Sequence, residues 1–289
     1  MSGVRARERW SGYLFVAPAA FALGGVALYP TLAAMWLSLH RVILVFHEHR
    51  FVGADNYAFM LTDARFWSAL GHTAYFTVVA VAAELALGTA VALVLHGPLA
   101  GRALSRAAVL VPWAIPTVVG AKLWAWLLNP DYGLLVRGFG ARTDWFGSPS
   151  LAMHAAILVD VWKTTPFVAF LVLAGLVAIP RDLYDAAAID GAARVRTFFS
   201  VTLPLLKPTI AVALIFRTLD AFRVFDAVYV LTEGGPANAT ETLSVYAYKT
   251  LMRAGDFGYG SALSVATFAC VLAIAGVFLK LLGSSAGLR

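Results

Sequence analysis

Six apolar runs divide this chain, at about Tyr13–Leu39, Phe66–Leu95, Ala107–Leu128, Leu151–Ala178, Thr209–Leu231 and Tyr259–Leu282. Each reaches the roughly 20 residues that a helix needs to cross a bilayer. Where water cannot enter, every backbone N–H and C=O must be satisfied within the segment, so runs of this length leave helices as the spanning structure. The charged fraction agrees, at 13% against about a quarter in soluble domains. The expected fold class is all-α: a polytopic membrane protein with six transmembrane helices, forming one domain over residues 1–289.

A net charge of +6 would suggest nucleic acid in a soluble chain, but here Lys and Arg follow the loops, so no nucleic-acid partner is expected. The first run follows Arg5, Arg7 and Arg9 and is too long for a cleaved signal peptide, which makes it an uncleaved span bent at Pro18 and Pro30. With the N-terminus inside, the cytoplasmic side carries Arg5, Arg7, Arg9, Arg102, Arg106, Arg181, Arg194, Arg196, Lys207, Lys280 and Arg289. The outer loops carry Arg41, Arg50, Arg65, Arg137, Arg142, Lys249 and Arg253, offset by Glu48, Asp55, Asp63, Asp131, Asp144, Glu233, Glu241 and Asp256. Both termini are therefore expected on the cytoplasmic side.

One cytoplasmic stretch is polar and basic, Asp185–Pro208, DAAAIDGAARVRTFFSVTLPLLKP. Arg181–Ile189 reads as a short helix, with Asp182 and Asp185 near its positive end and three alanines of high helix propensity. Gly191 breaks it, a second helix covers roughly Arg194–Thr202, and Pro204 and Pro208 end that helix before the span that begins at Thr209. The result is a rigid knob: Ala186–Ala188 give a flat surface, and Asp185, Asp190, Arg194 and Arg196 are placed to pair with a partner's rim.

The spacing Asp185-Ala186-Ala187, Asp190-Gly191-Ala192, Phe198, Val201, Pro204, Leu206, Pro208 resembles the EAA coupling loop of bacterial ATP-binding-cassette (ABC) importer permeases. It departs in one place: Asp185 stands where a Glu is usual, shorter by one methylene. The resemblance implies a type I importer permease of MetI-like fold in the bacterial cytoplasmic membrane. Asp185, Ala186, Ala187, Asp190, Gly191, Ala192, Phe198, Pro204 and Pro208 would then couple to an ATPase.

Charged residues inside a span are costly, so each asks for a function or a partner. Asp160 and Lys163 can meet on one face of the fourth span, beside Trp162 and Thr164. Arg217, Asp220, Arg223 and Asp226 recur at intervals of three in the fifth, and Phe222, Phe225 and Tyr229, at i, i+3 and i+7, share a face next to them. Rings beside hydrogen-bonding groups suit a sugar, which stacks its C–H faces and needs paired donors and acceptors. That makes Asp160, Trp162, Lys163, Thr164, Asp220, Arg223, Phe225, Asp226 and Tyr229 the candidate substrate path; packing of helices by the same groups stands as the other reading. Glu84 stands alone in the second span and Lys122 among tryptophans in the third, both read as structural or lipid-headgroup contacts.

No phosphate loop, His-Glu-x-x-His, zinc-type cysteine pair or Gly-x-Ser-x-Gly elbow is present, and Cys270 is the single cysteine, so neither catalysis nor a metal is expected of this chain. RTLDAFRVFDAVYVLTEGGP at Arg217–Pro236 and VWKTTPF at Val161–Phe167 are similar to carbohydrate-uptake permeases of the MalF type, with wording like that of the mycobacterial trehalose permeases. This implies import of a disaccharide such as trehalose or maltose, with glycerol-3-phosphate or another oligosaccharide as alternatives. The implied partners are a second, MalG-like permease, two ABC ATPases holding ATP-Mg, an extracytoplasmic sugar-binding protein or lipoprotein, and membrane lipid, with no cofactor in this chain. An ion-coupled secondary transporter using Asp160, Asp220 or Asp226 is the alternative of a different class, against which stand the docking loop and the lack of an inverted repeat.

Overall fold

The computed structural model describes residues 2–98, 101–134 and 143–285, with backbone alone for 2–11 and 282–285. Arg137, Arg142 and Arg289, counted above for orientation, lie outside the described residues, as do the side chains of Arg5, Arg7 and Arg9. Among the described residues five helices are long and apolar enough to cross a membrane, with a sixth span if a bent pair counts as one. By compactness the chain divides into two units, Met1–Asp63 with Ala247–Phe268, and Ala64–Tyr246 with Ala269–Arg289.

In the first unit, α1 (Ser2–Leu23), a π-helical turn (Gly24–Leu28) and α2 (Tyr29–Ser38) succeed one another. Pro30 sits in the first turn of α2, where a missing N–H is least costly. None of the most apolar part of Gly12–Ser38 is buried, so its apolar side chains face outward. The loop that follows is a hairpin of β1 (His40–Ile43) and β2 (Glu48–Phe51), and then α3 (Asp55–Thr62). Asn56 Nδ2 ties that loop to the span by donating to the carbonyls of Ser38 and His40, at 2.7 and 2.9 Å.

The second unit contains α4 (Ala64–His96), α5 (Arg102–Ala114), α6 (Thr117–Leu127), α7 (Pro149–Val177), α8 (Arg181–Ile189), α9 (Arg194–Thr197), α10 (Leu203–Ala221) and α11 (Asp226–Thr232). Two further helices, α12 (Leu243–Tyr248) and α13 (Phe257–Ser285), are shared between the units. Its core is the long contact of α4 with α7. Small residues make it possible: a Cβ added at Gly88 would lie 2.6 Å from Val168 Cγ1, and Ala80, Ala92, Ala155, Ala156 and Ala169 are all fully buried. Without a hydrophobic drive between helices in lipid, close backbone approach supplies the packing energy. The segment before α12 is held by Arg65, whose guanidinium makes two bonds to the buried Glu241, at 2.6 and 2.9 Å.

The helices depart from the sequence expectation in three places. The run Ala107–Leu128 is not one helix: α5 and α6 meet at 92°. Ile115, preceding Pro116, is forced into an extended conformation with ψ 132°, and the helix cannot continue through it. Pro204 and Pro208 do not end the second helix of the knob. From Arg194 the chain stays helical for 28 residues to Ala221, through α9, a π turn (Phe198–Thr202) and α10. Pro204 falls in the first turn of α10, and both prolines are exposed, so carbonyls left without a partner remain open to solvent. At the far end this helix stops at Ala221 rather than Leu231, and α11 packs against α6 and α7. Val224, Ala227 and Val228 are apolar because they are buried in protein, which hydropathy cannot tell from lipid.

Candidate functional site

Where α4, α7 and α10 come together, the charged residues form one network. Arg217 is buried and holds Glu84 with both edges of its fork, Nε to Oε2 at 2.5 Å and Nη2 to Oε1 at 2.9 Å. Its Nη2 also donates to Asp160 at 3.1 Å and its Nη1 to Asp220 at 2.5 Å. Thr164 Oγ1 lies 2.7 Å from Glu84 Oε1 and 2.6 Å from the Asp160 carbonyl, one turn back on its own helix. Glu84 is therefore not alone, as its sequence context suggests; its partner is 133 residues away. Hydrogen-bonded to one shared guanidinium, these carboxylates tolerate burial that would otherwise cost several kcal/mol each.

One flank of the network opens on a cavity of about 520 Å³ lined by Trp113, Lys163, Thr164, Phe167, Phe216, Arg217, Leu219, Asp220, Arg223 and Val271. Asp220 sits at this edge with its side chain 56% exposed, and Arg223, 68% exposed, leans on it at 3.5 Å rather than on Asp226. Lys163 turns from Asp160 to the break between α5 and α6, donating to the carbonyls of Trp113 and Ile115 at 3.2 and 2.7 Å. There it satisfies acceptors that the interrupted helix leaves open.

Of the substrate-path candidates, Lys163, Thr164, Asp220 and Arg223 meet in this cavity, and Asp160 stands behind them in the network. Trp162 packs on Trp124, and Asp226 is exposed at the start of α11. Phe225 and Tyr229 stack at 5.1 Å against the apolar cluster around Phe76, Ile157 and Val228. Because the helix breaks before Phe225, Phe222 does not continue their face. The cavity's own rings, Trp113, Phe167 and Phe216, escape the sequence reading. Phe167 closes the VWKTTPF segment, the one signal that pointed their way.

The knob at the other end of the long helix is built by its cap. Gly191 has φ +69°, its N–H reaches the Ala188 carbonyl at 3.1 Å, and the Ala192 N–H reaches Ala187 at 2.9 Å. This pair of bonds closes α8 in a Schellman turn, where a side chain would be strained. Ala186 and Ala188 face out as expected, whereas Ala187 is turned inward. Asp185, Asp190, Arg194 and Arg196 are exposed, and so are Ile189 at 87%, Val195 at 70% and Phe199 at 62%. Phe198 is half-buried over a second cavity of about 440 Å³ that it shares with Tyr184, Ala192 and Thr202.

Residues 84–285 match the family described as "Binding-protein-dependent transport system inner membrane component". The chain is 45% identical over 283 residues to the trehalose/maltose transport system permease protein MalF of Thermococcus litoralis, covering 96% of each chain. It is 43% identical over 286 residues to the trehalose transport system permease protein SugA of Mycobacterium tuberculosis, covering 99% of this chain and 92% of that one. In fold it matches a bacterial alginate ABC transporter, solved in complex with its alginate pentasaccharide-bound periplasmic protein, at a TM-score of 0.81 and 20% identity, over 95% of this chain and 94% of that one.

Proposed function

The chain belongs to the binding-protein-dependent transport system inner membrane components and is a non-catalytic permease of an ABC importer, and from that premise we propose that it carries a neutral sugar, a disaccharide of the trehalose or maltose kind, through the Lys163–Asp220–Arg223 cavity. The observation that carries this is the charge balance of the wall together with the network behind it. Lys163, Arg217 and Arg223 line the cavity with Asp220, and Glu84 and Asp160, buried behind the wall, supply the other two negative charges, while Lys163 and Arg217 donate to protein acceptors. An anionic cargo would meet no surplus of positive charge. A neutral sugar would find rings in Trp113, Phe167 and Phe216, and polar partners at Asp220 and Arg223. The alternative of glycerol-3-phosphate is disfavoured on that ground, and the ion-coupled alternative falls with family membership.

In this reading residues 1–289 act as one permease domain, both termini and the knob face the cytoplasm, and a second permease completes the path. An extracytoplasmic binding protein delivers the sugar. Asp185, Ala186, Ala187, Asp190, Gly191, Ala192, Phe198, Pro204 and Pro208 seat an ATPase, with ATP-Mg held on two such subunits. The exposed Ile189, Val195 and Phe199 support this, since apolar side chains ringed by charge are what a partner covers. Trp162, Phe225, Asp226 and Tyr229 would meet the sugar outside the cavity, elsewhere along its route. The test is ATP-dependent uptake by the assembled importer in proteoliposomes, with radiolabelled trehalose, maltose, glycerol-3-phosphate and a uronic-acid oligosaccharide as cargo. Uptake confined to the neutral sugars is expected; preference for either anion overturns the reading.

A further inference from the structure

The exposed carboxylate of Asp220 reaches the cavity from a residue that faces it on α10, but what fixes its direction lies deeper. Arg217 has a planar, rigid fork, and two bonds to one carboxylate set both the plane of that fork and its rotation. Glu84 makes those two bonds. Being fully buried and steadied by Thr164, it has no freedom to follow Arg217 if the latter turns. With the fork fixed, Nη1 can point in one direction, and it points at Asp220 Oδ2. Arg223 then settles against Asp220 Oδ1 at 3.5 Å. The free lone pairs of Asp220 and the free N–H groups of Arg223 are thus aimed from behind.

We propose that Glu84 is a positioning residue for sugar recognition: acting through Arg217, it aims Asp220 and Arg223 at the sugar hydroxyls. This rests on the reading of the cavity as the sugar path and adds to it a residue that touches no sugar. A carboxylate that merely joins α4 to α10 would be replaceable by any pair that fills the space. One that aims a fork would not be, because a Gln amide in its place has a single acceptor oxygen and turns an NH2 toward the guanidinium, so it cannot accept from both Nε and Nη2 of Arg217.

The experiment is equilibrium binding of radiolabelled trehalose to the purified permease–ATPase complex without its binding protein, with melting temperature measured on the same samples. Glu84→Gln is expected to weaken trehalose binding about tenfold, the equivalent of one charge-assisted hydrogen bond, and Asp220→Asn to do the same. The double variant Glu84→Gln with Arg217→Gln removes the pair together but leaves Asp160 without its cation, so it is expected to melt below wild type but above Arg217→Gln alone, and still to bind about tenfold more weakly. Wild-type affinity in the double variant overturns the inference and leaves Glu84 as a helix tie. Should neither Gln variant assemble, Glu84→Asp keeps the charge and retracts it by one methylene; unchanged affinity there overturns the inference, and weakened affinity at wild-type stability supports it. If Asp220→Asn binds trehalose normally, the cavity itself is misassigned. If Asp220→Asn weakens binding and the Glu84 variants do not, only the role of Glu84 is lost.

Discussion

Two arginine-bearing regions lie at opposite ends of one helix and are treated in opposite ways. At one end Arg217 is buried and bonded to three carboxylates of its own chain. At the other, Arg194 and Arg196 are exposed among Ile189, Val195 and Phe199. The first region satisfies itself, so its polar groups stabilise the fold from within. The second leaves apolar area and charge open together, an arrangement that is stable in isolation only if water takes the place of a partner. The lesson is that burial of a charge marks what the chain completes alone, and exposure of apolar side chains around charge is where the proposed partner would have to complete it.

The contrast breaks most forcefully at Arg217. Arg217→Met leaves Glu84 and Asp160 without their cation, and loss of about 3–5 kcal/mol of stability is expected, read as a large drop in melting temperature of the purified complex. A near-normal melt would mean that water reaches these carboxylates and that the region is no drier than the knob. A smaller effect, of different kind, is expected at Gly191. Gly191→Pro cannot adopt φ +69° and loses the N–H bonded to Ala188, so the cap should be strained by about 1–3 kcal/mol. Melting should fall by only a few degrees, while the ATPase no longer co-purifies and uptake stops; retention of the ATPase would remove the knob from its proposed role. The smallest effect separates the two ends by salt. Raising ionic strength from about 0.1 to about 1 M shortens the screening length from roughly 10 to 3 Å, which should weaken ATPase association several-fold and leave the melting temperature of the buried network in place. Equal sensitivity at both ends would erase the distinction.

How far the sequence could be read depends on whether its signals were local. The long spans are legible because a continuous apolar run needs no partner to be recognised, and α4 and α7 lie within a few residues of their expected limits. The knob's first helix and its glycine turn are legible for the same reason, since α8 and its cap are written in consecutive residues. The bend at Pro116 is local too, but a run of hydropathy conceals it. The early end at Ala221 is hidden by burial, since residues that face protein and residues that face lipid have the same composition. Glu84 with Arg217 is the extreme case: two residues on different spans carry no mark of each other, and nothing in the neighbourhood of Glu84 announces a partner. Lys163 is a subtler one, because Asp160 one turn away offers a plausible partner that the fold does not use.

The unbroken helix from Arg194 to Ala221 has a mechanical meaning. At about 1.5 Å per residue its 28 residues reach roughly 42 Å, and its irregularities, the π turn at Phe198–Thr202 and the prolines Pro204 and Pro208, all lie in the half close to the knob. A lever of that length tilted by about 10° around its middle carries each tip through nearly 4 Å, more than any hydrogen bond can stretch. If the knob seats an ATPase and the cavity grips the cargo, as proposed, a displacement applied beside Arg194 would travel along this one helix to Asp220 and loosen that grip in the same stroke.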